Sequence, residues 1–176
     1  MLTQTSPQAF KKIFTFSAGS ETFGLPLHLL HEVIYPEHIT RVPKATAFMA
    51  GILTSGSETI SVLDISKKLC LAAPSIRVHH PAIIINTIIE DETMQLALLV
   101  ERFGKIVQYK SSETIKRKNI PFNTNSNKNN QLGQKSAIYT QSREAIRKFV
   151  NEELYRAGVR IRLLNEDTLF SIAELT

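Results

Sequence analysis

Short runs of alternating apolar and polar residues recur along most of the chain, and each predicts a β-strand. Ile13–Phe16 alternates in this way, and turn-forming residues at 17–22 separate it from a second strand that begins at Phe23. Two more hairpins are predicted from runs rich in β-branched residues. Their strands are 52–53 with 60–65, and 82–89 with 96–100.

Two other segments have the 3.6-residue spacing of a helix. The shorter is 44–50, which follows Pro43 and ends at Gly51. The longer is 143–157, which ends at Gly158 and has one apolar stripe. The stripe consists of Ala145, Ile146, Phe149, Val150, Leu154 and Ala157. The whole pattern therefore predicts a mainly β fold with a few short helices and one inserted amphipathic helix.

The pattern of the first half is repeated in the second half. The corresponding segments are Phe23–Leu27 with Met94–Glu101, Leu30–Ile34 with Gly104–Val107, Ile39–Pro43 with Ile115–Pro121, and Val62–Leu69 with Leu163–Phe170. A repeat of this length indicates duplicated supersecondary structure. Two similar β-units side by side leave a seam between them, and we expect a partner to bind there.

The second copy of the repeat contains an insertion at about 122–158. From the proline of each copy to its last strand there are 19 residues in the first copy and 42 in the second. The insertion begins with Asn123–Gln131, which has no apolar side chain to bury and predicts a disordered loop.

The composition is that of an ordinary globular protein. With 176 residues, 43% of them hydrophobic, the chain is long enough to bury a sizeable core. Its longest apolar runs are far shorter than the roughly 20 residues of a membrane-spanning helix. The N-terminus lacks a basic region followed by an apolar one, so we expect no signal peptide and a cytoplasmic location. The single cysteine, Cys70, cannot form an internal disulfide and is expected to be buried.

The positive charge is concentrated in the second half. Residues 1–100 carry 7 Lys and Arg against 8 Asp and Glu, whereas residues 101–176 carry 14 against 8. This charge keeps open an alternative function, nucleic-acid binding by a small β-barrel protein through contacts with phosphate groups. The cationic residues in question are Lys116, Arg117, Lys118, Lys128, Lys135 and Arg143. No helix-turn-helix, zinc-finger or aromatic RNA-binding signature accompanies them, and a solvated surface explains the charge more simply.

Candidate metal-binding and catalytic residues do not form a recognisable site. His28, His31 and Glu32 are close in sequence, but strand geometry places positions 28 and 31 on opposite faces. The glycine spacing of 51–56 is that of a phosphate-binding loop, but serine and glutamate follow where lysine and serine or threonine are required. The sequence contains no Gly-x-Ser-x-Gly motif. We therefore expect no enzyme activity, no cofactor and no metal.

A series of short motifs occurs in a characteristic order. They are Phe23–Leu27, Leu30–Ile34, Ile39–Ala45, Gly51–Leu53, Ile60–Ile65, Leu96–Phe103 and Arg162–Phe170. In this order they resemble the CheW-like family of chemotaxis adaptor domains. The resemblance covers about 13–121 and 159–171. Each motif is short and mostly apolar, and the order of all of them carries the resemblance.

The resemblance implies a single domain at 13–176, made of two small five-stranded β-barrel subdomains around a shared hydrophobic interface. The first barrel is expected at about 13–75 and the second at about 80–170, after a flexible N-terminus at 1–12. It also implies a non-enzymatic adaptor that couples a chemoreceptor tip, which is a helical hairpin, to a CheA-type histidine kinase. Other CheW-like proteins are further expected partners, whereas nucleic acid and the membrane are not.

Partner-binding residues are also implied by the resemblance. Glu32 matches an acidic residue at the face used for partner coupling. Leu96, Ala97 and Phe103 match positions near the receptor-binding groove. The residues implied for a kinase-facing patch are Val33, Val42, Ala47 and Phe48.

One position departs from the family pattern. Ser55 stands where the family commonly has an arginine that is associated with receptor coupling. A guanidinium offers a fixed fork of hydrogen-bond donors, whereas serine offers one short hydroxyl. The departure indicates a diverged adaptor, such as one that serves a type IV pilus chemosensory pathway.

Overall fold

A computed structural model of the chain describes residues 9–55, 58–71, 80–89, 91–116 and 144–170. In these residues the strands are β1 Phe10–Ala18, β2 Glu21–Pro26, β3 Leu30–Ile34, β4 Met49–Ser55, β5 Glu58–Asp64, β6 Ala82–Ile89, β7 Glu92–Leu99, β8 Arg102–Lys110, β9 Thr114–Lys116, β10 Val150–Arg156 and β11 Val159–Leu164. The helices are α1 Ile65–Lys68, α2 at 144–149 and α3 Glu166–Leu169, and 3-10 turns lie at Leu27–Leu29 and Ser111–Glu113.

The strands form two sheets. One has six strands in the order β8-β1-β2-β11-β10-β9, and the other has five in the order β3-β6-β7-β5-β4. The hairpins β1–β2, β4–β5 and β6–β7 confirm the three hairpins predicted from the sequence. The mainly β fold is as predicted, and where two five-stranded β-barrel subdomains were expected the described strands form one six-stranded and one five-stranded sheet.

The two copies of the repeat have the same arrangement but exchange their hairpins. β1 and β2 correspond to β6 and β7. β2 pairs in parallel with β11, the last strand of the second copy, and β7 pairs in parallel with β5, the last strand of the first copy. The predicted division into barrels at 13–75 and 80–170 does not match this strand order, because β1 and β2 belong to the sheet that contains β8–β11.

Among the described residues, the core consists of three apolar clusters. The largest, which we call the shared cluster, lies between the sheets and contains Phe16 and Phe23 from one sheet and Ile85 and Leu98 from the other. Each sheet covers a smaller cluster with its opposite face. The shared cluster therefore joins the two sheets into one folded unit.

The predicted helix at 44–50 is wrong. The chain makes turns up to Phe48, and β4 begins at Met49. Gly51 has a φ of +148°, a conformation that favours glycine, and it lies at a bulge between β4 and β5. The backbone of Ile52 also bonds to Thr40 in both directions at 2.8 Å, so the segment is held by pairing rather than by helical bonds.

The predicted helix at 143–157 is wrong beyond residue 149. α2 ends there, and β10 pairs with β9 on one side and with β11 on the other. The apolar stripe is divided between two clusters, because Phe149 and Val150 face the shared cluster while Leu154 faces the cluster of the six-stranded sheet. A bulge between Val150 and Glu152 makes this change of side possible.

Cys70 is exposed, so the prediction that it is buried is wrong. α1 ends at Lys68, and the chain turns at Cys70 with a φ of +50°. Leu69 is fully buried in the shared cluster, whereas Cys70, the next residue, lies at the surface.

The predicted flexible N-terminus at 1–12 is wrong at residues 10–12, which belong to β1 and pair with β8, while residues 1–8 lie outside the described residues. The predicted loop Asn123–Gln131 also lies outside the described residues. In the described part of the chain, no helix is both long enough and apolar enough to cross a membrane.

Candidate protein-binding surface at the seam of the two sheets

Two edge strands, one from each sheet, come together through aromatic side chains. β3 is an edge of the five-stranded sheet and β8 is an edge of the six-stranded sheet. Tyr35 directly follows β3, and its ring meets the ring of Phe103 on β8 edge-on, with 5.5 Å between centroids. Phe103 in turn lies 6.2 Å from Phe14 of β1. We refer to β3 with Tyr35, together with residues 102–106 of β8, as the seam.

The seam exposes large apolar side chains to solvent. Tyr35 is 66% exposed, Ile106 57% and Val33 44%. Apolar side chains grouped at the junction of two structural units are typical of a surface that a protein partner covers.

A bulge in β8 decides which of its residues face the seam. Residues three apart on a regular strand point to opposite faces. Phe103 nevertheless lies opposite Phe16 and Ile106 lies opposite Phe14, and both of these β1 residues face the shared cluster. The extra residue of the bulge therefore brings Phe103 and Ile106 to the same side of β8.

β3 repeats this geometry on the other side of the seam. Leu30 lies opposite Ile85 and Val33 lies opposite Ile83, with a register shift between Leu30 and Glu32. Val33 and Ile106 therefore occupy equivalent positions in the two copies of the repeat. Bulges also disfavour pairing of an edge with a foreign strand, so the seam is suited to contacts through side chains.

Charged side chains of both signs border the apolar residues. Glu32 is exposed on β3, while Arg102 and Lys105 are exposed on β8. Glu101, which precedes β8, is less suited to contact a partner, because its carboxylate accepts a hydrogen bond of 2.8 Å from the backbone N–H of Gly19. A partner that fits this surface needs an apolar stripe with charged residues beside it.

Three of the residues implied for partner binding lie at the seam. These are Glu32, Phe103 and Val33, the last of which the resemblance implied for the kinase-facing patch rather than for the receptor-binding groove. Leu96 and Ala97 lie instead on the central strand β7, where Leu96 is 5% exposed in the shared cluster and Ala97 is fully buried behind it. Both faces of β7 are covered by apolar side chains, so these two residues offer no surface to a partner.

The remaining implied residues lie towards β4, the other edge of the five-stranded sheet. Val42 and Ala47 are exposed in the segment that leads to β4, and Ser55 is the last residue of that strand. Phe48 is partly buried against the shared cluster, with the ammonium of Lys68 at 4.1 Å from its ring centroid. Phe48 is therefore held in place by packing and a cation–π contact.

Tyr35 and Ile106 contribute most of the exposed apolar surface at the seam, and sequence reasoning did not select them. For Ile106, the repeat contained one pattern that indicates an exposed apolar residue. The two copies each contain a pair of adjacent apolar residues, Val33-Ile34 and Ile106-Val107. Neighbouring residues of a strand point to opposite faces, so only one member of each pair can be buried on a given face. Tyr35 gave no comparable signal, because it follows β3 in an irregular segment.

The histidines considered as metal ligands are separated. His28 lies in a 3-10 turn with its Nε2 at 3.2 Å from a carboxylate oxygen of Glu166, whereas His31 lies on β3. Among the described residues, no three His, Cys, Asp or Glu side chains are grouped closely enough to hold a metal ion.

Comparison with known proteins agrees with this architecture. The family model of the CheW-like domain matches residues 12–129. The chain belongs to the CheW-like domain family. The chemotaxis protein CheW of Treponema pallidum (strain Nichols) is 21% identical over 96 residues, which are 54% of this chain and 56% of that protein. The match therefore spans little more than half the length of this curated relative.

The fold is also that of a solved structure. The crystal structure of the scaffolding protein TtCheW from Thermoanaerobacter tengcongensis superposes with a TM-score of 0.68 at 18% identity. The superposition covers 96% of this chain and 98% of that one. At this identity the superposition shows the fold, and that fold agrees with the CheW-like domain identified by the family model.

Proposed function

We propose that this CheW-like domain is a cytoplasmic, non-enzymatic adaptor that couples a chemoreceptor-like sensor to a CheA-type histidine kinase. The observation that carries the proposal is the seam, where Val33, Tyr35 and Ile106 are exposed around Phe103. Such a surface provides binding without any catalytic group.

The partner proposed for the seam is the helical hairpin of a chemoreceptor tip. An amphipathic helix presents apolar residues along one stripe with charged residues beside it. The seam has the complementary arrangement, with apolar side chains in the middle and Glu32, Arg102 and Lys105 beside them. Because the bulges disfavour strand addition, a helix suits this surface better than an extended peptide does.

The kinase is proposed to bind near the opposite edge of the five-stranded sheet. Val42 and Ala47 are exposed there, and Thr40 attaches their segment to β4. Three strands separate β4 from β3 in the sheet. This separation supports simultaneous binding of receptor and kinase, which an adaptor requires. Other CheW-like proteins are proposed as further partners of the exposed sheet edges.

The pathway is proposed to be chemotaxis or a type IV pilus chemosensory system. The reason for including the second is Ser55, which replaces the arginine that the family commonly carries. The loss of a fork of donors at this position is compatible with a receptor that differs from an ordinary chemoreceptor.

The alternative of nucleic-acid binding gains no support from the described residues. Of the cationic residues on which it rested, only Lys116 is described, on the three-residue strand β9. Arg117, Lys118, Lys128, Lys135 and Arg143 lie outside the described part of the chain.

A binding titration with matched variants tests the role of the seam. The titrant is a purified helical-hairpin fragment of a chemoreceptor tip. Ile106→Asp places a charge in the middle of the seam and should weaken binding by at least about tenfold. The control is Ile88→Asp, which changes an equally apolar residue that is 71% exposed at the tip of the β6–β7 hairpin. Equal weakening by both variants, or by neither, would contradict the assignment of the seam.

A further inference from the structure

The bulge of β8 contains a hydroxyl where a regular sheet would have a backbone partner. Gly104 and Lys105 both lie opposite Thr15 of β1, so one residue of β8 has no backbone counterpart. The hydroxyl of Thr15 donates a hydrogen bond to the carbonyl oxygen of Lys105 at 2.8 Å. It also accepts a hydrogen bond from the N–H of Lys105 at 2.8 Å. One buried side chain thus satisfies both backbone groups of the extra residue.

The glycine at position 104 is required by this arrangement. A Cβ at position 104 would overlap Oγ1 of Thr15 and would lie 2.7 Å from its carbonyl oxygen. Thr15 is 4% exposed, so its hydroxyl has no room to move aside into solvent. Gly104 and Thr15 therefore fit together as a pair.

The corresponding bulge in β3 lacks this device. The residue equivalent to Thr15 in the second copy of the repeat is Ile84, which lies opposite Glu32 and carries no hydroxyl. Ile84 packs in the cluster of the five-stranded sheet instead. Both copies of the repeat have the bulge, but of the two bulges only the one in β8 faces a threonine hydroxyl, that of Thr15 on β1.

We propose that Thr15 is a positioning residue for the seam, whose hydroxyl holds the β8 bulge in the shape that presents Phe103 and Ile106 together to a partner. Both residues owe their common face to this bulge, and a bulge that slipped by one residue would turn one of them away. The binding part of this role rests on the adaptor function proposed above. The holding of the bulge does not depend on it.

The test compares Thr15→Val, which keeps the shape and removes the hydroxyl, with Thr15→Ser, which keeps the hydroxyl. Amide hydrogen exchange at Lys105 and titration with the chemoreceptor hairpin fragment are measured on the intact protein. Loss of the hydroxyl should speed exchange at Lys105 and weaken fragment binding, each by about tenfold, while Thr15→Ser stays within about twofold of the original protein. Thr87→Val is the matched control, because Thr87 is a buried threonine on β6 outside the seam, and it should change neither quantity.

A second variant keeps the test decisive if Thr15→Val does not fold. Gly104→Ala displaces the same hydroxyl from the opposite side and should reproduce both effects. Fragment binding that survives Thr15→Val unchanged, or a Thr15→Ser protein as defective as Thr15→Val, would overturn the proposal. If the original protein binds no fragment, the adaptor function fails, and the exchange rate at Lys105 alone decides whether Thr15 holds the bulge.

Discussion

Arg162 is a charged residue in the interior of the molecule. Arg162 lies on β11 and is only 5% exposed. Its guanidinium forms ion pairs with Glu21 on β2 and, at 3.7 Å, with Glu153 on β10. Arg160 reaches the same carboxylate of Glu21 at 3.8 Å from a much more exposed position. Arg162 therefore links three neighbouring strands of the six-stranded sheet through one side chain.

Replacing Arg162 by alanine should be strongly destabilising, because it leaves two partly buried carboxylates without the cation between them. We expect the free energy of unfolding to fall by about 3 kcal/mol. Arg160→Ala removes the exposed neighbour and should cost less than about 1 kcal/mol. Urea unfolding of both variants measures the difference. Similar losses for the two arginines would show that the buried ion pairs of Arg162 contribute no more to the free energy of unfolding than the exposed ion pair of Arg160.

Tyr109 should make stability depend on pH in the alkaline range. Burial raises the pKa of Tyr109 above its ordinary value of 10.0, and the carboxylate of Glu152 raises it further. The folded state thus holds the phenol proton more tightly than the unfolded state does. The resulting stability is fully present below the unfolded pKa and is lost as the pH rises through the folded pKa. Urea unfolding at about pH 8 and about pH 11 should show a larger loss for the original protein than for Tyr109→Phe. Parallel losses would contradict this.

At the residue scale, some of the residues that the motifs imply for partner binding lie at the seam, and their role in binding stays a prediction. Val33 and Phe103 were found through motifs, and both lie where the two sheets meet. Leu96 and Ala97 came from the same motifs, but the motif does not reveal that β7 is central and covered on both faces. Thr15 could not be found at all, because its role depends on a bulge in a strand 90 residues away.

Gly51 is the residue at which the segment before β4 is fixed to the sheet. Its φ is +148°, and a Cβ would overlap the carbonyl oxygen of Thr40 and lie 2.9 Å from a methyl group of Ile39. Gly158, in the β10–β11 turn, also has a positive φ, of +78°, but nothing lies within 4 Å of its Cβ position. Substitution of Gly158 therefore tests the effect of backbone conformation on stability, whereas substitution of Gly51 tests conformation and close contact together.

Gly51→Ala should cost considerably more stability than Gly158→Ala. We expect a loss of more than about 3 kcal/mol at Gly51, where conformation and overlap combine. At Gly158 only the left-handed conformation is penalised, by about 1 to 2 kcal/mol. Thermal unfolding of the two variants provides the comparison. Losses of equal size would mean that the backbone of Thr40 moves aside for the new Cβ without further loss of stability.

At the element scale the sequence predicted strands better than helices. The three hairpins were recognisable from alternation and turn residues, which are local features. The helix predicted at 143–157 failed after residue 149, because the residues that follow supply β10 with neighbours on both sides. Pairing of this kind is decided by distant strands, and it overrides a local period.

At the scale of the whole molecule, the exchange of hairpins makes the two halves of the chain interdependent. β1 and β2 complete the sheet of the second copy, and β6 and β7 complete that of the first. The repeat was visible in the sequence, but the exchange was not, since either pairing buries the same apolar faces. Four strand pairs reveal which hairpin belongs to which sheet. They are the parallel pairs β2–β11 and β5–β7 and the antiparallel pairs β1–β8 and β3–β6.

The protein should therefore unfold in one cooperative transition. Two sequential barrels would allow separate melting, whereas exchanged hairpins around a shared cluster require both sheets to be lost together. Differential scanning calorimetry should give a single peak with equal calorimetric and van't Hoff enthalpies. Two resolved transitions would show that each sheet is stable without the other.

The most direct test of the adaptor function is whether one molecule holds both proposed partners at once. The protein, a chemoreceptor hairpin fragment and the regulatory domain of a CheA-type kinase are mixed and separated by size-exclusion chromatography. We predict that fragment and kinase domain elute together only when the protein is present, and that Ile106→Asp releases the fragment while retaining the kinase domain. Elution of the protein with neither partner, or displacement of one partner by the other, would contradict the account.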